Sequence, residues 1–232
     1  MNGYGYGMYY DSSWFIFVLP ALILGLIAQG KVKGAYNKYS RVNSGTGLTG
    51  AQVARRILDR NGLYDVVVEQ TPGQLTDHYE PRKRVMRLSN SIYAGNSVAS
   101  MSVAAHEAGH ALQHADGYFP LILRNNLAPI VSFSSRFVWI LVLLGFLISP
   151  FLINVGIALY LGVVIFQLVT LPVELNASRR ALAQLEDGIS PSENLKSAKS
   201  MLSAAALTYV AATLTAIAEL LRLLAITNRR RD

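Results

Sequence analysis

The chain has no cysteine among its 232 residues. Disulfide bonds and thiolate zinc sites are therefore excluded, so any metal ion must be held by histidine or carboxylate side chains. Charged residues are scarce as well: they make up 15% of the chain, whereas soluble domains carry about 25%. Hydrophobic residues make up 52%. This balance predicts a membrane protein.

The formal net charge of +7 suits either nucleic acid or anionic lipid when it is taken alone. In an apolar chain, lysine and arginine more often set the orientation of membrane spans. We therefore expect the lipid bilayer as a partner, and no nucleic acid.

The first apolar run, at 14–29, predicts a transmembrane helix near the lower length limit for a span. The Gly/Tyr-rich leader at 1–13 has no lysine or arginine, whereas four such residues lie between 31 and 41. A cleaved signal peptide has the opposite arrangement. The pattern predicts an uncleaved anchor with an extracytoplasmic leader and a cytoplasmic segment after the span.

A second apolar region, 137–173, contains no charged residue. As one helix it would far exceed a hydrocarbon core of about 30 Å. Pro150 favours a break, and the region then predicts two transmembrane helices, at 129–149 and 151–172.

The last apolar stretch, at 201–226, has two interpretations. It contains Glu219 and Arg222, which are three residues apart and can pair on one face of a helix. If the stretch spans the membrane, the basic tail at 227–232 lies outside, against the positive-inside tendency; if it lies along the cytoplasmic surface, the tail is well placed. We favour a spanning helix. The fold class is then a mostly α membrane protein with about four transmembrane helices.

The polar segment at 30–127 predicts a small α+β cytoplasmic module. Thr49 and Gln52 have the spacing of a capping box at the start of a helix. The stretches 63–70 and 84–89 predict short strands. The second of these strands is either an edge that pairs with an extended substrate or a purely structural strand.

The main functional signal is the order His-Glu-x-x-His in VAAHEAGHALQHA, on a helix predicted at about 97–115. Residues four apart share one helix face, so His106 and His110 can bind the same zinc ion. Glu107 lies one step round the helix, where a general base can reach a water activated by zinc. The chain has only four histidines, which makes a chance arrangement improbable.

Catalytic zinc needs a third protein ligand. His114 continues the four-residue series, but three ligands from one straight helix would bind with poor geometry. Glu174 follows the uncharged hairpin, and two spans return the chain to the side that it left. The segment 173–200 is therefore predicted to be a cytoplasmic helix that carries the third ligand, Glu174. Two alternatives remain open. Glu174 can be an ordinary interfacial carboxylate that begins a helix. The third ligand can instead come from the Asp-Gly pair at 187–188, although the polar residues around this pair fit a helix end better.

The donor that stabilises the oxyanion is not selected by the sequence. The candidates for this role are His78, Tyr79 and His114. Each of them can instead form a hydrogen bond to a side chain that binds zinc. A partly exposed helix position is the simplest interpretation of His114.

Five segments spread over nearly the whole chain carry a family resemblance: KVKGAYNKYSRV, GLTGAQVARRILDRNGLYDV, LTDHYEPRKRVMRLS, VAAHEAGHALQHADGY and LPVELNASRRAL. On these segments the chain resembles the YugP-like bacterial neutral zinc metallopeptidases. The resemblance implies an integral membrane peptidase with one zinc ion per chain, His106 and His110 as zinc ligands, and Glu107 as the catalytic base.

A more distant similarity links the layout to the CAAX-protease and heat-shock membrane peptidase group, in which spans also separate the histidine motif from a ligand glutamate. This similarity implies the third-ligand role for Glu174. In the wider gluzincin pattern, an aspartate four residues after that ligand orients a zinc histidine. Ser178 stands at this position, with Asn176 nearby, and a neutral partner would orient the imidazole less strongly.

These features predict a multi-pass cell-membrane zinc metalloendopeptidase with its active site on the cytoplasmic side. Its expected substrates are proteins or peptides that are membrane-associated, or damaged membrane proteins. The alternative is a non-catalytic zinc-binding membrane scaffold or pseudopeptidase, although zinc binding alone does not require a base such as Glu107. A metal transporter would need more polar groups in the spans than Asn154 and Gln167.

Overall fold

The computed structural model describes residues 13–228. The chain is mostly helical, with one small sheet. Its elements are α1 (Leu19–Tyr39, entered through a π-helical turn at Trp14–Val18), α2 (Gly50–Arg60), β1 (Val67–Thr71), β2 (His78–Glu80), β3 (Val85–Ser89), α3 (Asn90–Tyr93), α4 (Val98–Ala115), α5 (Phe119–Leu147), α6 (Pro150–Glu186) and α7 (Ser192–Asn228). Apart from Ser13, the expected leader at 1–13 lies outside the described residues, as do the last four residues of the expected tail.

Among residues 13–228, four helices are long and apolar enough to cross a membrane: the continuous helix Trp14–Tyr39, α5, α6 and α7. This agrees with the expected number. Large apolar side chains on these helices are exposed, among them Leu26, Phe133 and Phe151. Such exposure is unfavourable in water and is expected where a helix faces lipid.

The long helices pack in the order α1–α7–α6–α5, because α1 contacts α7, α7 contacts α6, and α6 contacts α5. Within α7, Glu219 accepts a hydrogen bond of 2.7 Å from Arg222, as the spacing of the two residues predicts.

The hairpin of α5 and α6 turns at Ser149 and Pro150, but both helices are longer than expected. α5 begins at Phe119 rather than 129 and contains Pro129 in its interior. α6 likewise continues through Pro172 to Glu186, so the expected span at 151–172 and the first part of the expected helix at 173–200 form one helix. Proline is tolerated inside such helices because neighbouring groups can satisfy the freed carbonyl.

The polar module packs α2, the sheet and α4 around a common core. Thr49 and Gln52 form the predicted capping box: the Thr49 side chain accepts from the Gln52 N–H, and the Gln52 side chain accepts from the Thr49 N–H. The buried face of α2 consists of apolar residues at helical spacing, including Ile57 and Leu58.

The sheet has the strand order β1–β3–β2, with β3 parallel to β1 and antiparallel to β2. β3 is therefore the central strand, and the expectation that the stretch 84–89 offers an edge to a substrate is wrong. The turn-rich stretch before β3 itself forms the edge strand β2, because Tyr79 is drawn into the core opposite Met86.

α4 is the most enclosed helix of the module, and it contacts α2, α6 and α7. Its many alanine, serine and glycine residues let these helices approach closely. The tightest approach is at Gly109, where an added Cβ would lie 2.5 Å from the carbonyl oxygen of Ala177 in α6.

We expect Gly109→Ala to lower the free energy of unfolding by about 1–3 kcal/mol, because the new methyl group would force two backbones apart. Gly162→Ala in α6 is the matched control, since its Cβ would meet nothing within 4 Å. Denaturant unfolding of the purified protein in detergent measures both. Equal stability of the two variants would show that the close approach does not constrain the fold.

Candidate metal centre

Two histidines of α4 and one glutamate of α6 meet at the centre of the protein. His106, His110 and Glu174 each offer a ligand atom, and these atoms all lie within 4.8 Å of one another. Glu174 Oε2 is 3.2 Å from His106 Nε2 and 3.5 Å from His110 Nε2. Both rings therefore turn the same nitrogen toward one carboxylate oxygen.

The positions of these side chains follow from the contact of the two helices. Gly109 lies between the two histidines in α4, and Ala177 lies between Glu174 and Ser178 in α6. Since Gly109 and Ala177 are pressed together, the side chains on the adjoining turns face each other. The imidazole rings meet edge to face, with centroids 4.8 Å apart.

The ring nitrogen of His110 that points away from Glu174, Nδ1, is held by Gln113. The Gln113 amide nitrogen donates to the Val173 carbonyl at 2.8 Å and to Asn176 Oδ1 at 2.9 Å, so its oxygen must face His110. That oxygen lies 2.9 Å from His110 Nδ1, and an amide oxygen can only accept. Nδ1 therefore carries the proton, and in the neutral ring the Nε2 lone pair points at Glu174.

The far side of His106 faces Ser178, whose Oγ lies 3.2 Å from Nδ1. Ser178 is the residue that stands where the wider pattern has an aspartate. Asn176 does not contact a histidine directly, because its Oδ1 accepts from Gln113 and from Arg180 Nε at 2.8 Å. Asn176 thus supports His110 through Gln113.

The donor set fits zinc. Two imidazole nitrogens and one carboxylate oxygen are a catalytic zinc ligand set, with a fourth position left for water or substrate. A cavity of about 310 Å³ lies over the three residues, which gives that position room. In the neutral ring, His110 Nε2 and the Glu174 carboxylate present lone pairs to each other at 3.5 Å, an arrangement that a cation between them would stabilise.

Glu107 lines the same cavity but is not part of the three-residue cluster. Burial raises the pKa of its carboxyl to about 7; the charge of His106 opposes this rise and that of Glu174 adds to it. A carboxyl poised near neutrality can both take up and release a proton at physiological pH.

Arg124 of α5 holds the other carboxylate oxygen of Glu174. Its Nη1 donates to Oε1 at 2.7 Å, which leaves Oε2 facing the histidines. Sequence reasoning missed Arg124 and Gln113. The available signal for Arg124 was that it is one of only two cations, with Arg136, in the stretch that leads into the uncharged hairpin. For Gln113 the signal was a position one turn after His110.

Two of the candidates for the oxyanion, His78 and Tyr79, line the cavity. His78 Nδ1 donates to the Thr76 carbonyl at 2.8 Å, and Tyr79 Oη lies 3.0 Å from His114 Nδ1. His114 thus contacts Tyr79 rather than the three-residue cluster. Tyr209 of α7 also lines the cavity and was not singled out by the sequence.

The chain matches the family described as "Putative neutral zinc metallopeptidase" over residues 14–228. It is also 50% identical over 221 residues to the "Putative membrane protease YugP" of Bacillus subtilis (strain 168), a match that covers 94% of this chain and 98% of that protein. No solved structure matches the chain.

We expect Gln113→Leu to weaken zinc binding by about 10–100-fold, because His110 loses the acceptor that fixes its proton and ring orientation. Gln74→Leu, in an exposed loop, is the control. Competition with a chromophoric chelator measures both affinities. An unchanged affinity in Gln113→Leu would contradict the orienting role.

Proposed function

Because the chain belongs to this family of neutral zinc metallopeptidases, we propose that it is a membrane-embedded zinc metalloendopeptidase of gluzincin type with a zincin-like active site. The observation that carries the proposal is the convergence of His106 Nε2, His110 Nε2 and Glu174 Oε2 under a cavity that Glu107 also lines. A peptidase needs both parts: a set of metal ligands and a base beside them.

His106, His110 and Glu174 would hold one zinc ion per chain. Zinc, when bound, supplies Lewis-acid chemistry, which makes water a nucleophile near neutral pH. Gln113 and Ser178 keep the two imidazoles turned toward the ion, and Arg124 keeps Glu174 Oε2 turned toward it.

Glu107 would take the proton of the attacking water on its carboxylate and then pass it to the nitrogen of the leaving amine. Its burial and its near-neutral pKa suit both transfers. These properties favour a peptidase over a zinc-binding scaffold, in which a carboxyl at this place would have no task. For the oxyanion, the positions of His78 and Tyr79 favour them over His114.

The polar module and the active site are proposed to lie on the cytoplasmic side. The lysine and arginine residues that follow the first span favour this orientation. α5 and α6 form a hairpin, so Glu174 lies on the same side as α4. Apolar side chains of the long helices, among them Val32 and Leu202, line the cavity together with the polar site residues. A site at the membrane surface suits membrane-associated or damaged membrane proteins as substrates.

We expect Glu107→Gln to keep one zinc ion per chain while kcat/KM falls by about 10²–10⁴-fold, because only the base is removed. Glu174→Ala should lose the zinc, because a ligand is removed. Glu186→Gln, at the exposed end of α6, is the control for a lost carboxylate. Metal analysis and cleavage of an unfolded protein, both in detergent, measure the outcomes.

Normal zinc content in Glu174→Ala would show that Glu174 is not the third ligand. Full activity in Glu107→Gln would exclude Glu107 as the base. If the zinc-loaded wild-type protein cleaved nothing, the scaffold would be the better proposal.

The chain has no cysteine, so single cysteines can report its topology. We expect a membrane-impermeant maleimide to label Ile148→Cys in intact cells, because Ile148 lies at the turn between α5 and α6 and is 72% exposed. Lys83→Cys, in the polar module, should be labelled only after the cells are permeabilised. The reverse pattern would place the active site outside the cell.

A further inference from the structure

A groove runs along the membrane-spanning part of the protein between α1 and α6, with α7 as its floor. Its volume is about 390 Å³. The floor is made of small side chains, among them Ala211, Ala212 and Thr215. Small residues let the backbone of another helix approach closely within a membrane.

Polar side chains stand on both walls of this groove, Gln29 on α1 and Gln167 on α6. Among residues 13–228, neither side-chain amide has a hydrogen-bond partner. Gln167 lies within the expected span 151–172, where an amide without a partner costs several kcal/mol, whereas Gln29 stands at the end of the expected span 14–29. A lipid tail cannot form the missing hydrogen bonds, whereas a polar side chain on a transmembrane helix can.

The groove lies next to the active-site cavity along α1 and α7. Val32 lies one turn after Gln29 on α1 and lines the cavity, as do Ala205 and Tyr209 on α7. Thr208, which lines the groove, lies between these two residues and donates to the Ala205 carbonyl at 2.6 Å. This end of the groove is therefore the end nearest to the cavity over the three-residue cluster.

We propose that this groove docks a transmembrane helix of the substrate, which carries a hydrogen-bonding side chain opposite Gln167. Cleavage then falls in the extended segment that follows this helix at the membrane surface. The occupant is a substrate rather than a second copy of the chain, because the groove lies next to the cavity that holds His106 and Glu107. This proposal rests on the proposed peptidase function and adds the class of its substrate.

Filling the groove tests the proposal. A Cβ at Gly25 in the groove wall meets nothing within 4 Å, and the same holds for Gly30, which lies on the same helix but does not line the groove. Gly25→Leu therefore places a side chain in the groove whose Cβ meets no other atom, and Gly30→Leu is the matched control. The reporter is a single helix of about 20 apolar residues with one glutamine, joined to an unfolded fluorescent segment; the same segment without the helix is the second substrate.

Gly25→Leu should lower kcat/KM for the helix-anchored reporter at least tenfold while cleavage of the free segment stays within twofold of the wild type. Gly30→Leu should leave both rates unchanged. Equal loss for both substrates, or no loss for either, would overturn the groove proposal but leave the peptidase function intact. If neither substrate were cleaved by the wild-type protein and the cross-links described next also failed, the peptidase function and the groove would fall together.

Disulfide cross-linking gives a second readout that does not depend on turnover. In the Glu107→Gln background, Ala212→Cys in the groove should cross-link to a cysteine in the reporter helix. Leu143→Cys, on the exposed face of α5, should not. Cross-links between two copies of the protein through Ala212→Cys would instead identify the groove as a dimer interface and contradict the proposal.

Discussion

Gly109 lies so close to the Ala177 carbonyl that no side chain fits between α4 and α6 at this point. The candidate metal centre is arranged around that contact. The histidines lie on either side of Gly109, and Glu174 and Ser178 lie on either side of Ala177, so one backbone contact sets the distances among all four side chains. The hydrogen bonds of Gln113 to the Val173 carbonyl and to Asn176 then tie the same two helices together a turn further along. The packing of α4 against α6 thus also determines the orientation of the His110 ring, because Gln113 contacts both His110 and α6.

The second constraint is charge. Glu174 is almost fully buried, and a buried carboxylate is stable only when it is paired. Arg124 satisfies one oxygen and leaves the other for the histidines. Glu107, close by, has no such cation among residues 13–228, and burial raises the pKa of its carboxyl. The two glutamates of the site therefore have different properties because of their partners: Glu174 is held as an anion suited to a metal ion, and Glu107 can exchange a proton.

Much of this could be predicted from the sequence, because some of the signals are local. Residues four apart on a helix share a face, so the pairing of His106 with His110 follows from spacing alone. Glu174 followed from topology, since an uncharged hairpin must return to the side that it left. Gln113, Arg124 and the edge strand β2 were missed because their roles depend on which residues of other elements lie opposite them. α5 and α6 extend beyond the expected spans, because helices that pack against neighbours continue through Pro129 and Pro172.

The stretch 201–226 was ambiguous in sequence because it is apolar, rich in small residues and yet carries an ion pair. The structure gives each of these features a place along α7. Met201 and Leu202 pack into the core of the polar module, whereas Glu219 pairs with Arg222 toward the other end of the helix. Between them, one side of α7 carries Tyr209 in the active-site cavity and the alanines of the adjoining groove. These contacts with both the polar module and the groove, together with the length and apolar composition of α7, make it a candidate span. The helix that was hardest to place from the sequence is therefore the one that joins the polar module to the long apolar helices.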